Sequence, residues 1–199
     1  SDLPRASHMR ARTSAVVADF PGAGIYVASA LPFGLLFSVD WSPPTGDGTR
    51  ELWQSDGTAA GTRAIAQWPR PAGGCTSIGL PDRGASSPAV FALQTSCDGT
   101  SELWISDGSA ARTRRLRTFV DDVPLVATGG IAFRGALCFL TRSLDVLTDF
   151  PVHSLWRTDG TPQGTVAVVA LPAASDLGFP LSLRGAAGDG IKLQFGRPA

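Results

Sequence analysis

The sequence predicts an all-β fold built from a repeated unit of about 50 residues, and three observations lead to this prediction. A short motif occurs three times along the 199-residue chain. Each period of the motif contains four segments of strand-like composition. The composition itself, with 23 Gly and 15 Pro but only 17% charged residues, favours short strands joined by turns over long helices.

The motif consists of a Leu-Trp pair, two further residues and an Asp-Gly-Thr triplet. A glutamate opens it, except that Ser154 stands there in the third copy, and Ser109 replaces the threonine in the second. The alignment continues to a second threonine, preceded by glycine in two copies and by Arg112 in the other. The repeated motif positions are Leu52, Trp53, Asp56, Gly57, Thr58, Leu103, Trp104, Asp107, Gly108, Leu155, Trp156, Asp159, Gly160 and Thr161.

Four strand-like segments recur in each period, separated by clusters of Gly, Pro, Asp and Ser. The segments lie at 15–20, 25–28, 35–39, 63–68, 76–80, 89–94, 116–120, 130–133, 137–141, 155–158, 166–171, 180–183 and 191–195, together with the first two motif strands. The motif strand is expected to be the last of the four in each unit.

Four antiparallel strands in about 50 residues make up one blade of a β-propeller, in which about 4 to 8 blades surround a central channel. We expect about four blades, at residues 15–58, 59–109, 110–161 and 162–199, of which the last is incomplete. Residues 1–14 are expected to be an N-terminal tail or a cloning remnant. The sequence leaves open whether the units close a ring or form a fragment of a larger propeller.

The motif resembles the repeat family named for the consensus Glu-Leu-Trp-x-x-Asp-Gly-Thr, the ELWxxDGT repeat of bacterial proteins. Three near-matches in register carry the similarity, which extends from about residue 15 onward. The resemblance implies a propeller-like architecture and a secreted or cell-surface location. It implies no particular activity.

The repeated tryptophans are expected to pack between adjacent blades. Leu and Trp fall on opposite faces of the motif strand because side chains alternate. A tryptophan that packs in this way buries about 150–250 Å². The alternative is a ring of surface aromatics that stack on sugars, which requires exposed indoles.

The Asp-Gly-Thr triplet is typical of a turn, in which Asp binds backbone N–H groups and Gly adopts a positive φ. Calcium binding is the alternative. Each loop offers only one Asp, so we expect neither a metal site nor a cofactor. Glu51 and Glu102 are expected at strand ends, solvated or paired with arginines such as Arg63 or Arg114.

The three cysteines predict one disulfide and one buried thiol. Cys75 opens one strand and Cys97 follows the next, so the two lie opposite each other in an antiparallel hairpin. Cys138 lies between apolar residues in a strand and is expected to be a free, buried thiol. The absence of a C-x-x-C pair argues against structural zinc. A disulfide favours an exported protein, whereas the same two cysteines in reduced form would suit the cytosol.

Charge and hydropathy argue against two classes of partner. Lys and Arg total 17 and Asp and Glu also total 17, so no basic excess attracts nucleic acid. No apolar stretch reaches the roughly 20 residues that a membrane-spanning helix requires. We therefore expect neither nucleic-acid binding nor membrane insertion.

No catalytic constellation is recognisable in the sequence. His153 lies before the third motif, and no G-x-S-x-G elbow or other activated serine accompanies it. The aspartates form no assignable acid pair, because such pairs are recognised by their separation in space. A propeller hydrolase with central carboxylates is the enzymatic alternative.

The sequence therefore favours a non-catalytic module that binds a protein or carbohydrate partner through variable loops. The loops that differ most between copies are residues 41–50, 69–74 and 142–152. Clustered exposed aromatics with polar neighbours would indicate a sugar site, and a broad apolar patch would indicate a protein site. A structural or adhesion segment of a longer repeat protein is the other alternative.

Overall fold

The computed structural model describes residues 16–43, 45–72, 74–80, 88–94, 97, 99–126, 130–144, 151–171, 181–187 and 190–195. The described residues form antiparallel strands and one short 3-10 helix at Ala110–Arg112, which confirms the all-β prediction. The strands are β1 (Gly24–Leu31), β2 (Gly34–Trp41), β3 (Gly48–Ser55), β4 (Arg63–Arg70), β5 (Ser77–Gly79), β6 (Ala89–Gln94), β7 (Ser101–Ser106), β8 (Arg114–Phe119), β9 (Val123–Pro124), β10 (Ile131–Phe133), β11 (Ala136–Leu144), β12 (Pro151–Thr158), β13 (Val166–Ala170), β14 (Leu181–Ala187) and β15 (Gly190–Phe195).

The strands form sheets in which neighbours in sequence are neighbours in space. The first sheet has the order β1-β2-β3-β4, and the second has the order β5-β6-β7-β8. The third sheet has the order β10-β11-β12-β13, and the short β9 also pairs with β11. β14 and β15 form a fourth, two-stranded sheet. Each unit is therefore an up-and-down antiparallel meander.

The motif strand is the third strand of each four-stranded order, where sequence analysis expected the fourth. β3, β7 and β12 carry the motif, and each pairs with the strand that follows it. The tight turn after the motif returns the chain alongside the motif strand, so both strands stay in one sheet. The expected blade boundaries after residues 58, 109 and 161 therefore fall inside sheets. Residues 16–20, expected as part of a strand, adopt no strand structure, and residues 1–14 lie outside the described ranges.

Successive sheets pack face to face, and the motif supplies residues to both faces. Leu52 is fully buried in the core between the first and second sheets. Trp104 of the second sheet packs against the same core from the opposite side. Leu103 is the equivalent leucine between the second and third sheets, where Trp156 is buried opposite it. One face of a sheet thus contacts the sheet before it, and the other face contacts the sheet after it.

Aromatic pairs complete these contacts between sheets. Trp68 in β4 meets Trp104 edge to face, with 5.2 Å between ring centroids. Phe119 in β8 meets Trp156 in the same geometry at 5.1 Å. Edge-to-face pairs at this separation stabilise a core beyond the area that they bury. The expected packing of motif tryptophans between adjacent units is therefore observed at both contacts.

Candidate functional site

The Asp-Gly-Thr turn is held by hydrogen bonds among its own residues. Asp56 Oδ1 accepts from the Thr58 backbone N–H at 2.9 Å and from the Thr58 hydroxyl at 2.7 Å. The Thr62 hydroxyl donates to the Thr58 carbonyl at 2.7 Å. Gly57 adopts φ 90°, a conformation that favours glycine. The other two copies repeat this pattern, with the Ser109 hydroxyl in place of threonine in the second.

The glycine before the second threonine leaves room for the turn aspartate. A Cβ on Gly61 would lie 2.0 Å from Asp56 Oδ1, and a Cβ on Gly164 would lie 2.0 Å from Asp159 Oδ1. Arg112 stands at this position in the second copy, and the chain there forms the short 3-10 helix. The second turn therefore tolerates a side chain by changing its backbone.

These hydrogen bonds favour the ionised form of the three motif aspartates. The Thr58 hydroxyl, followed by the Thr58 N–H, lowers the pKa of the Asp56 carboxyl. The pKa of Asp159 is lowered in the same way, and the Ser109 hydroxyl lowers the pKa of Asp107. Each aspartate lies in its own turn and bonds to its own neighbours. The arrangement therefore stabilises turns and does not build a shared acidic site.

The motif glutamate accepts a hydrogen bond from the indole of the motif tryptophan. Glu51 Oε2 accepts from Trp53 Nε1 at 2.8 Å, and Glu102 Oε2 accepts from Trp104 Nε1 at 2.9 Å. The two residues are two positions apart and so share one face of the strand. The glutamate therefore holds the orientation of the indole, which for Trp104 packs against the first sheet.

Two partners of the motif glutamates differ from those expected. Glu102 pairs with Arg115 and not with Arg114, because consecutive residues of β8 lie on opposite faces. Arg114 instead donates to a backbone carbonyl in the third turn at 2.8 Å. Glu51 accepts a second indole hydrogen bond, from Trp41 Nε1 at 2.8 Å.

The third copy of the motif lacks this acceptor. Ser154 occupies the glutamate position, and Trp156 Nε1 is buried without a hydrogen-bond partner. The guanidinium of Arg117 lies over the Trp156 ring, 4.6 Å from its centroid. The ring is therefore packed on its face while its N–H group is left unsatisfied.

The cysteines have structural roles. Cys75 and Cys97 form a disulfide with Cα atoms 5.0 Å apart, which is the pair that the sequence indicated. Cys138 is a buried free thiol whose pKa is raised by burial. A thiol of this kind is inert, because the thiolate is the nucleophile.

The copies differ in one cross-strand pair at the end of the sheets opposite the Asp-Gly-Thr turns, which we call the loop end. This pair is Asp40 and Arg50 in the first sheet, Gln94 and Ser101 in the second, and Arg142 and His153 in the third. Burial lowers the pKa of His153, and the charge of Arg142 lowers it further. The loop end is therefore where the repeated units acquire individual chemistry.

A polar network occupies the loop end of the first sheet. Asp40 is only 3% exposed, and its carboxylate pairs with Arg50 and accepts from the Ser42 hydroxyl at 2.8 Å. Arg70 donates to Ser42 Oγ at 2.6 Å, and Arg70 Nε lies 3.6 Å from Asp40 Oδ2. The network thus ties the end of β4 to the connection between β2 and β3.

Tyr26 presents an exposed aromatic ring beside this network. The residue is 67% exposed, and the Arg50 guanidinium lies 5.6 Å from the ring centroid. Gly24 makes room for the ring, since a Cβ there would lie 2.5 Å from a ring carbon. We call this group the Tyr26 cluster, and its members are Tyr26, Asp40, Ser42, Arg50 and Arg70.

Sequence analysis did not find the Tyr26 cluster, although it pointed to two of the loops beside it. Residues 41–50 and 69–74 meet where the Ala72 N–H donates to the Asp47 carboxylate at 2.9 Å. The third expected loop, 142–152, belongs to another sheet, and its residues 145–150 lie outside the described ranges. The one available signal for Tyr26 was that it is the only tyrosine in the chain.

Two clefts open at the turn end, one between the second and third sheets and one beside the turn of the second sheet. The smaller, of about 230 Å³, has a mainly apolar lining that includes Val90, Ile105 and Leu137. The larger, of about 600 Å³, is lined in part by Asp107 and Arg112, which lie 3.6 Å apart. Neither lining includes an aromatic ring. These two clefts therefore lack the aromatic plane on which a sugar ring packs, whereas a third cleft, of about 210 Å³, includes the Phe33 ring beside Gln54 and Arg63.

The described residues contain neither a cluster of metal ligands nor a helix that could span a membrane. Within those residues, no three His, Cys, Asp or Glu side chains group in a way that could hold a metal ion. The same part of the chain contains no helix with the length and apolar character needed to cross a membrane.

Comparisons with known proteins add no further evidence. A scan against protein-family models found no match for the chain, and a search of curated proteins found none either. The resemblance to the ELWxxDGT repeat therefore rests on the motif residues, and the functional argument rests on the geometry of the Tyr26 cluster.

Proposed function

We propose that the chain is a non-catalytic, β-propeller-like module of the ELWxxDGT type that binds a carbohydrate at the Tyr26 cluster. An exposed aromatic ring set among polar side chains, in loops where the copies differ, carries the proposal. The apolar face of a sugar ring packs on an aromatic plane. Nearby charged and hydroxyl groups then bond the sugar hydroxyls and set specificity.

Arg70 and Ser42 are the side chains of the cluster best suited to meet such a ligand. Ser42 is exposed, and the Arg70 side chain keeps 31% of its surface accessible. Asp40 is buried and already bonded by its neighbours, so it holds the loops in position. The proposal therefore assigns binding to the exposed members and positioning to Asp40 and Arg50.

The propeller-like arrangement is supported by the serial packing of the sheets. Antiparallel sheets that meet face to face, as at the Trp68 and Trp104 contact, are the kind of packing that a propeller requires between neighbouring blades. A secreted or cell-surface location is supported by the motif resemblance and by the Cys75–Cys97 disulfide, because such bonds persist in oxidising compartments.

Substitution of Tyr26 tests carbohydrate binding. The protein is screened against immobilised oligosaccharides of glucose, galactose, N-acetylglucosamine and uronic acids, and each hit is titrated by calorimetry. We expect Tyr26→Ala to weaken binding at least about tenfold because the stacking plane is lost. Tyr26→Phe keeps the plane and should stay within about threefold of the wild type.

Thermal unfolding of both variants is the control, since a residue this exposed contributes little to stability. A screen without hits, or equal binding by Tyr26→Ala and the wild type, would reject the carbohydrate proposal.

A structural role in a longer repeat array is the second candidate function. One observation favours it, namely that all five residues of β13, an outer strand of the third sheet, are exposed and uncharged.

A further inference from the structure

β13 exposes an apolar surface that its counterparts in the other sheets do not. Val166 stands where β4 and β8 carry Arg63 and Arg114, and Val169 stands where β8 carries Arg117. Arg114 and Arg117 of β8 contact the third sheet, through a carbonyl of its turn and through the Trp156 ring. Valines at these positions of β13 present apolar surface instead, and an exposed apolar outer strand promotes association. β13 therefore has the composition of a strand that another element covers.

The side chains that face the next unit are also more exposed in the third sheet than in the first two. Val168 is 53% exposed, whereas Ile65 and Leu116 at the equivalent positions are each 5% exposed. Leu103 is fully buried, but the third motif leucine, Leu155, is only half-buried. The outward face of the third sheet is therefore covered less completely than the same face of the first two sheets.

A motif strand of the next unit covers the first two faces. Ile65 and Trp68 share a core with Trp104, which belongs to the motif strand of the second sheet. The third sheet faces the β14-β15 hairpin instead, where Leu183 and Leu140 share a small core. This hairpin corresponds to the first two strands of a unit. Among the described strands, none pairs with the outer edge of β15.

At the opposite end of the chain, an aromatic residue that belongs to no strand makes an equivalent contact with the first sheet. Phe20 lies outside the strands of the first sheet, yet it covers Trp53 edge to face at 4.9 Å. It also contacts Phe37 at 5.8 Å. Trp68 makes the equivalent contacts with the second sheet, so Phe20 takes the position of a fourth-strand aromatic.

We propose that the outer edge of β15 and the exposed face of β13 accept a motif hairpin from a further repeat unit. The motif strand of that hairpin pairs with β15, and its tryptophan covers Val168 and Leu171 as Trp104 covers Ile65 and Trp68. The occupant follows from continuity with the two existing interfaces, which use this contact. The three motif copies of the printed sequence already lie inside sheets as β3, β7 and β12.

A synthetic peptide of residues 48–70, which spans β3, its turn and β4, is the probe. We expect calorimetry to show saturable binding to the full chain, and hydrogen exchange to show new protection of the β15 amides. A peptide with Trp53→Ser should bind at least about tenfold more weakly, because the apolar side chain that covers Val168 and Leu171 is lost.

Two variants of the chain distinguish docking from folding. Val168→Asp should weaken peptide binding at least about tenfold, since it places a charge in the proposed contact. Ala167→Arg introduces the residue type of Arg115 at the equivalent position and should leave binding unchanged, because Ala167 pairs with Trp156 and so lies on the other face of the strand. Unfolding midpoints check that both variants fold, as exposed substitutions should.

Three outcomes would overturn the proposal. They are no binding of the 48–70 peptide, binding without protection of β15, and undiminished binding by Val168→Asp. A dimer that light scattering detects in the absence of peptide, and that Val168→Asp dissociates, would also overturn it by assigning the surface to a second copy. Tyr26 lies in the first sheet, so carbohydrate binding is measured independently.

Discussion

At the scale of single residues, the glutamate of the motif is explained by the tryptophan two positions later. A buried indole N–H needs an acceptor, and Glu51 and Glu102 supply one on the same strand face. Sequence analysis placed these glutamates at solvated or ion-paired strand ends. That interpretation missed the indole, because the role of the glutamate depends on the burial of its neighbour.

Ser154→Glu should stabilise the protein by about 1 kcal/mol, because it offers Trp156 Nε1 the acceptor that this buried donor lacks. The measurement is the free energy of unfolding from urea titration. Ser154→Ala is the matched control, since alanine occupies the site without an acceptor. If the glutamate variant is no more stable than the alanine variant, Trp156 does not use an acceptor at this position.

At the scale of the element, the Asp-Gly-Thr turn decides how the chain is divided into sheets. Its hydrogen bonds return the chain directly beside the motif strand, so β4 joins the sheet of β3. The turn glycine also allows residues of the preceding unit to approach the turn backbone closely. A Cβ on Gly108 would lie 2.6 Å from the Phe33 ring, and one on Gly160 would lie 2.9 Å from Ile105, but Gly57 has no such neighbour. The turn is therefore an intersheet contact as well as a connection.

Acid should destabilise the wild type more than a variant in which Asp56, Asp107 and Asp159 are all changed to Asn. Their pKa values are lowered in the folded state, chiefly by the Thr and Ser hydroxyls. The resulting stability is present above the unfolded value of about 3.9 and is lost as the pH falls through the lower folded values.

Urea midpoints measured between about pH 6 and pH 2 test this prediction, since that range brackets the unfolded pKa. Asparagine keeps the accepting oxygen, so the turn geometry is preserved while the titration is removed. Parallel pH profiles for the two proteins would show that the turn hydrogen bonds do not favour the ionised carboxylates.

At the scale of the whole molecule, each sheet relies on the next one to bury the leucine of its motif. Leu103 lies in the core between the four-stranded second sheet and the five-stranded third sheet, and Leu155 faces the two-stranded β14-β15 hairpin. The same residue type in the same motif therefore has two environments, and the difference reports how completely each face is covered.

Leu103→Ala should cost about 2–5 kcal/mol of unfolding free energy, and Leu155→Ala should cost less than half as much. The first substitution leaves a cavity in a closed core, whereas the second lies at a partly open face that collapses or admits water. Urea titration of both variants gives the comparison. Equal costs would mean that the third sheet is covered as fully as the second.

The residues alone determined the all-β class and the turn after each motif, and they indicated Cys75 and Cys97 as a possible disulfide pair. These features depend on alternation, on the backbone preferences of Asp and Gly, and on short spacings along the chain, which are local properties.

Only the tertiary structure decided the strand grouping, the indole acceptor and the Tyr26 cluster. The strand that follows the turn can pair with the motif strand or begin a new sheet, and the motif residues are compatible with either arrangement. Which one forms depends on which strand lies alongside. Tyr26 and Arg70 lie on the two edge strands β1 and β4, and each contacts one member of the Asp40–Arg50 pair on the strands between them. Proximity across strands arises from register and sheet order, and neither of these is encoded by a short segment.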